Sequence, residues 1–204
     1  KLPKMERCNA RTMENFRRLG LEDEIRSAGL DNDMPMDVFI CVEDVNRPAL
    51  VTHRYASVNQ LKAEYRDVRD ASTAAVPYQL ISQYTLEPLL AVAAERSPEV
   101  RIEFDREVFG FAQDAEGVRA SSTVRGLLGF HLEGDSLLAM TQALFYAEDL
   151  LDRIPIGKGR HYHIADDKNS FLIVQDDKKH FSLHATVPSE EMPALFERIV
   201  GFPI

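Results

Sequence analysis

Three cations, Lys4, Arg7 and Arg11, crowd the place where a helix should begin. Asn9 is a helix-capping residue type, Met13, Phe16 and Leu19 follow at helical spacing, and Gly20 stands where a C-terminal cap belongs. Cations usually avoid the positive end of a helix. Grouped there, they point to an anion, because free N–H groups and fixed positive charge at a helix start suit a phosphate. The competing reading is a solvated basic face. Gln83 offers another polar contact, a side-chain amide at or just before a second predicted helix, with an exposed loop glutamine as its plainer reading.

Histidines form the second group. His161 and His163 share one face of a predicted strand, and His180 and His184 share one face of another, because strand side chains alternate. Coincident faces would gather four imidazoles, which invites either a metal site or the wall of an aromatic ligand's pocket, with Tyr162 turned the other way. Ordinary histidines on a half-exposed sheet are the alternative, and no metal is assigned. Nucleophilic catalysis has no support: there is no G-x-S-x-G, and Cys8 and Cys41 have no motif-level histidine partner. Asp166-Asp167 and Asp176-Asp177 fall in predicted turns and read as solvated carboxylates. No catalytic acid or base is assigned.

The elements that must position these groups follow from periodicity. Beyond the first helix, residues 21–28 read as a short acidic helix closed by Gly29. Residues 37–42 (DVFICV) have strand composition, 50–55 supply a partner strand, and 57–69 form a surface helix. Small residues over 70–77 read as a linker. A firm helix follows within 78–96, capped by Ser82 or Thr85, with Pro88 in its first turn and Leu86, Leu89, Leu90 and Ala93 on its apolar face. Residues 100–104 and 107–113 read as strands, 118–120 as a returning strand and 121–128 as a capped helical turn. Residues 137–146 fit strand or helix. Alternating stretches at 159–164, 170–175 and 180–187 make an antiparallel meander, and Ser189 caps a final helix closed by Gly201.

The runs NARTMENFRRLGL (Asn9 to Leu21) and LISQYTLEPLL (Leu80 to Leu90) resemble the FAD-dependent aromatic hydroxylases, the single-component flavoprotein monooxygenases related to p-hydroxybenzoate hydroxylase. Ser121-Ser122-Thr123-Val124-Arg125 is similar to the downstream half of that family's D-G-x-x-S-x-x-R element. The resemblance implies that Lys4 contacts FAD, with Arg7 and Arg11 as alternatives, that Gln83 also contacts it, and that Ser122 and Arg125 occupy flavin-side positions. It implies a mixed α/β (α+β) fold, a partial Rossmann-like FAD-binding domain plus an antiparallel-sheet substrate domain. Residues 1–36 and 78–130 then belong to the FAD-binding domain, 37–77 to the substrate domain or an insertion, and 131–204 to the substrate domain. The implied reaction hydroxylates a small phenolic substrate with FAD, NADH or NADPH and O2. His161, His163 and His184 are the substrate-side candidates, and a homodimer is one assembly open to such a protein.

The chain has no G-x-G-x-x-G, no Asp-Gly shortly before Ser121, no later G-D segment and no Met at position 1. It therefore reads as an incomplete piece of a longer flavoprotein, with segments lost at both ends and at the Ala120/Ser121 junction. The alternatives are a truncated relative acting as a non-catalytic binding module, and a histidine-metal protein. A net charge of −9 argues against a sequence-independent grip on nucleic acid or anionic membrane. No apolar run is long enough to span a bilayer, and two cysteines without a disulfide or zinc pattern suit a reducing compartment, with the cytoplasm as the expected location.

Overall fold

A computed structural model describes residues 5–103, 111–113, 118–120, 140–176 and 179–203. Lys4, Ser122, Arg125 and the helical turn expected at 121–128 lie outside the described residues. The chain divides into two units, Lys1–Ala93 with Met140–Ile204, and Ala94–Ala139.

In the larger unit, alternation builds the sheet. Strands β2 (Val38–Cys41), β3 (Val51–His53), β7 (Thr141–Tyr146), β8 (His161–Ile164), β9 (Phe171–Val174) and β10 (His180–Ala185) form one six-stranded sheet in the order β3-β2-β8-β9-β10-β7. The expected meander is present as β8, β9 and β10, and the 137–146 ambiguity resolves as strand. One pair departs from an antiparallel sheet: β2 runs parallel to β8, with Val38 opposite His161 and Ile40 opposite His163. Burial alternates along β2 and β8, while β9 and β10 bury consecutive residues. Phe39, Cys41, Tyr162, Leu172, Phe181 and Leu183 face the core, where Tyr162 stacks on Phe39 at 5.3 Å. Helix α6 (Met192–Val200) closes that face with Leu195, Phe196, Ile199 and Val200, and Phe196 stacks on Phe145 at 4.1 Å. Between β7 and β8, a single helical turn α5 (Leu150–Arg153) adds Leu150 and Leu151 to the same core. Ser189 is not the cap of α6. It opens a 3-10 turn over Ser189–Glu191, and Glu191 at the helix start makes no side-chain cap.

A second apolar cluster of Cys8, Met13, Ile25, Val76, Ile81 and Leu86 holds the helices of this unit. Helix α1 (Ala10–Arg18) begins as expected: the Asn9 side chain accepts the Thr12 amide at 2.8 Å. It ends in a left-handed cap, Gly20 at φ 73, with Leu21 N–H donating to Phe16 O at 2.8 Å. Helix α2 (Glu22–Ala28) buries Arg26, and α3 (Val58–Tyr65) starts with a reciprocal Ser57–Gln60 capping box. Two short strands, β1 (Arg7–Cys8) and β4 (Gln79–Leu80), pair antiparallel just before helix α4 (Gln83–Glu95). Pro88 lies inside α4, beyond the first turn where it was expected, so the carbonyl one turn back lacks its helical donor.

In the smaller unit, β5 (Phe111–Gln113) and β6 (Val118–Ala120) form the expected hairpin, with Phe111 opposite Ala120. Residues 100–103 are not strand, contrary to their composition, and 104–110 lie outside the described residues. Among the described residues no helix is long and apolar enough to cross a membrane.

Candidate functional site

The β1–β4 ladder brings together chain segments that the sequence holds far apart. Arg7 pairs with Leu80, Ile81 N–H donates to Glu6 O at 3.0 Å, and Gln83 N–H donates to Met5 O at 3.1 Å. Gln83 is thereby fixed at the first turn of α4 beside the backbone that leads into Arg7. Its side-chain amide contacts Glu87. Arg7 is exposed and, among the described residues, takes no carboxylate partner. Arg11 is not drawn into this group: it sits on the exposed flank of α1, ion-paired with Glu14 at 3.0 Å.

The sheet face opposite the core carries the second half of the site. The two histidine faces coincide, because register places His163 opposite Phe171 and Phe171 opposite His184. The rings form a row: His161 to His163 at 5.7 Å, His163 stacked on Phe171 at 5.3 Å, and Phe171 stacked on His184 at 4.6 Å with 9° between planes. Tyr162 points to the core, as expected. His180 does not join the row. Its Nδ1 lies 2.5 Å from Asp176 Oδ2, which also accepts the Tyr84 hydroxyl at 3.0 Å. Three imidazoles therefore share the row, and no His/Cys/Asp/Glu group among the described residues is arranged to hold a metal.

Two residues that sequence reasoning missed complete this face. Glu6, the one acid among the early cations, pairs with Arg160 and comes within 3.3 Å of His161 Nε2. Arg160 precedes β8, and its backbone N–H donates to Asp37 O at 2.8 Å. Buried polar atoms normally have partners, so orphans mark places where a ligand belongs or strain is stored. Here, among the described residues, His184 Nε2 and Arg160 Nε are buried without a hydrogen-bond partner, while His161 Nε2 has only the 3.3 Å approach of Glu6. Behind this face, a buried chain ties α4 to the sheet: Ser82 Oγ donates to Gln175 Oε1 at 3.0 Å, and Gln175 Nε2 donates to Ser182 Oγ at 2.8 Å.

The electrostatics are those of a nearly neutral, half-buried face. Burial pushes the Glu6 carboxyl up, but His161 and Arg160 more than offset it and hold it below its ordinary value. Burial lowers the His163 imidazole, with His161 and Arg160 adding to the effect. Burial also lowers His184, helped by His161 and opposed by Glu6. A histidine lowered in the folded state gives stability that is complete above the unfolded value near 6.5 and is lost as pH falls through the folded value. Glu6 acts in the same direction below about 4.5. Urea midpoints are expected to be flat from pH 8 to 7 and to drop as pH falls below about 6.5. The His163→Gln/His184→Gln double variant should lose less between pH 6.5 and 5, and an identical slope in both proteins would contradict the assignment.

A flavin dinucleotide brings two phosphates and a planar polar ring system. Exposed Arg7 beside the start of α1, the Gln83 amide on the same edge and the orphan nitrogens of the ring row fit such a group in donor type. The family model described as an FAD binding domain matches residues 1–131. The curated 2,4-dichlorophenol 6-monooxygenase of Cupriavidus pinatubonensis (strain JMP 134 / LMG 1197) is 29% identical over 152 residues, 74% of this chain and 23% of that protein. Among solved structures, the flavin-dependent monooxygenase PieE in complex with FAD and substrate gives a TM-score of 0.78 at 17% identity, over 99% of this chain and 41% of that one. Aklavinone-11 hydroxylase with FAD and aklavinone gives 0.71 at 19% identity, over 98% and 44%. RebC soaked with chromopyrrolic acid gives 0.72 at 21% identity, over 98% and 41%. The structural likenesses show a shared fold, and the chain spans less than half the length of each of these relatives.

Proposed function

The chain belongs to the FAD-binding-domain family, and from that premise we propose that it forms part of a flavin-dependent monooxygenase that hydroxylates a small phenolic substrate using NADH or NADPH and O2. The observation that carries this reading is the cluster of orphan nitrogens on a ring-lined sheet face, in the same unit as the Arg7–Gln83 edge. Bound FAD would supply the redox chemistry, by which electrons from the nicotinamide reduce O2, one oxygen atom entering the ring and the other leaving as water. The chain's own residues bind and orient. Arg7 offsets phosphate charge, with Lys4 ahead of it in sequence. Gln83 presents a rigid amide from the first turn of α4, while Ser122 and Arg125 stand as further flavin-side residues. His161, His163 and His184 face the substrate, and the half-buried sheet limits water around it.

FAD titrated into the full chain and followed by flavin fluorescence tests the reading. Saturable binding is expected, weakened about a hundredfold or more in an Arg7→Ala/Gln83→Ala variant, since each of the two charge-assisted contacts is worth about 1.5–3 kcal/mol. Absence of any saturable change would overturn it.

A further inference from the structure

We propose that the cavity lined by the last turns of α1 and α3 and by residues 66–77 binds a small organic diphosphate, of the size of a nucleoside diphosphate. It is separate from the Arg7–Gln83 edge. Helix α1 rises about 1.5 Å per residue, so Arg17 in its last turn lies roughly 10 Å along the helix from the end where Arg7 stands. The cavity holds about 490 Å³, inside the common range of small-molecule sites, about 300–1,000 Å³. Arg17, Lys62, Arg66 and Arg69 line it against one acid, Glu22. That lining runs against the chain's net charge of −9, and three other cavities of the same unit carry more acids than cations.

The positive charge is in surplus. Glu22 is already committed to buried Arg26 at 2.7 Å and stands 3.8 Å from Arg17. Among the described residues Lys62 and Arg66 take no carboxylate partner, and Arg69 donates to the Arg66 and Val68 carbonyls at 2.6 and 2.9 Å. Cations in a last turn complement the helix dipole, which accounts for Arg17 and Lys62 singly. It does not account for four cations around one cavity. Nor does it account for Lys62, whose ammonium is held below its ordinary value by desolvation and the nearby Arg26 charge, with Glu22 and Asp23 opposing. An ammonium in that state gains from an anion. Four cations against one acid match the charge of a diphosphate ester near neutrality, about −3, and guanidinium forks pair bidentate with phosphate oxygens. The organic part has its own wall: Tyr65 offers a half-buried ring, and Ala71 and Ala74 leave room beside it. That wall is held in place, since Ala75 N–H donates to Glu14 Oε1 at 2.9 Å and Ser72 N–H to Asp70 Oδ1 at 3.0 Å.

The test titrates ADP, inorganic pyrophosphate, citrate and adenosine into the full chain at pH 7.5 and low salt, followed by calorimetry. ADP should bind saturably and at least tenfold more tightly than adenosine or citrate, with pyrophosphate in between. Lys62→Gln/Arg66→Gln, at two exposed positions, should keep the melting temperature and weaken ADP about tenfold or more. Arg7→Ala/Gln83→Ala should leave ADP binding unchanged. In 1H–13C spectra ADP should raise the titration midpoint of Lys62 at Cε. No saturable ADP binding, adenosine or citrate as tight as ADP, or unchanged affinity in Lys62→Gln/Arg66→Gln would each overturn the proposal. So would loss of ADP binding in Arg7→Ala/Gln83→Ala, or a Lys62 midpoint that ADP does not move. Competition then identifies the source of the group: NADH displacing ADP assigns it to a nicotinamide dinucleotide, and no displacement assigns it to a free nucleotide. The FAD titration stands apart. FAD binding without ADP binding removes this inference and leaves the flavoprotein reading, and ADP binding without FAD binding does the reverse.

Discussion

Replacing Arg26 with alanine is expected to destabilise the chain by about 3–5 kcal/mol, the cost of removing one partner from a buried charged network. Arg26 is only 6% exposed. Its guanidinium donates to Glu22 Oε1 at 2.7 Å, to Gln79 Oε1 and Pro77 O at 3.1 Å each, and more distantly to Tyr78 O. Those acceptors belong to α2, to the strand that pairs with Arg7–Cys8 and to the two residues just before that strand, so one side chain ties the helix to the β1–β4 ladder. Alanine would leave two carbonyls and a buried amide oxygen without donors. Gln79 has no freedom to compensate, because its Nε2 already donates to Leu30 O and Leu80 O at 3.0 Å. The melting temperature should fall by on the order of 10 °C. Arg26→Lys keeps the charge but not the planar fork, and should recover less than half of the loss. FAD affinity should fall with stability, since Gln83 is carried on the same segment. A melting point unchanged in Arg26→Ala would mean that the ladder is held by its apolar cluster alone.

Local chemistry made part of this molecule readable from sequence. Asn9 and Gly20 bracket α1 because a side-chain cap and a left-handed glycine are properties of single residues. The three meander strands were legible because a buried face imposes a period of two, and the same alternation placed Tyr162 opposite His161 and His163. Long-range pairing left no such mark. Nothing in Val38–Cys41 announces a parallel partner at His161–Ile164, and so the convergence of Val38 and Ile40 with the histidine row was hidden. Glu6 and Arg160 were overlooked for the same reason, standing 154 positions apart with an ordinary local context on each side. The one sign was Glu6 as a lone acid among Lys4, Arg7 and Arg11. Arg26 drew no notice within an acid-rich helix, although its spacing from Glu22 is that of an i,i+4 pair. Ser189 misled because its sequence looks like a cap while the chain makes a 3-10 turn first. Residues 100–103 misled because strand composition cannot create a partner strand.

The site's dependence on Gly159 is open to a sharper experiment. A Cβ added at Gly159 would lie 2.5 Å from Phe39 Cε2 and 2.7 Å from Asp37 O, contacts that real side chains do not make. Phe39 cannot swing away, because it is buried and stacked on Tyr162, and Asp37 O is the acceptor that fixes the Arg160 backbone. The Tyr162 hydroxyl tightens the same turn, accepting Gly159 N–H and donating to Gly157 O at 2.9 Å each. Gly159→Ala must therefore push the entry to β8 outward, at a cost of about 1–3 kcal/mol from overpacking. Because Arg160 and His161 follow immediately, the push separates Arg160 from Glu6 and disturbs the end of the ring row. Phenol binding should weaken beyond what the stability loss alone predicts. Gly157→Ala provides the contrast: its Cβ would meet Phe39 only at 3.8 Å, while the backbone sits at φ 108, so it should cost stability through strain. It should leave phenol binding close to wild type. Urea denaturation and a phenol titration on both variants decide the matter. Equal loss of ligand binding in the two would show that general loosening of the turn, and not the position of Arg160, governs the face.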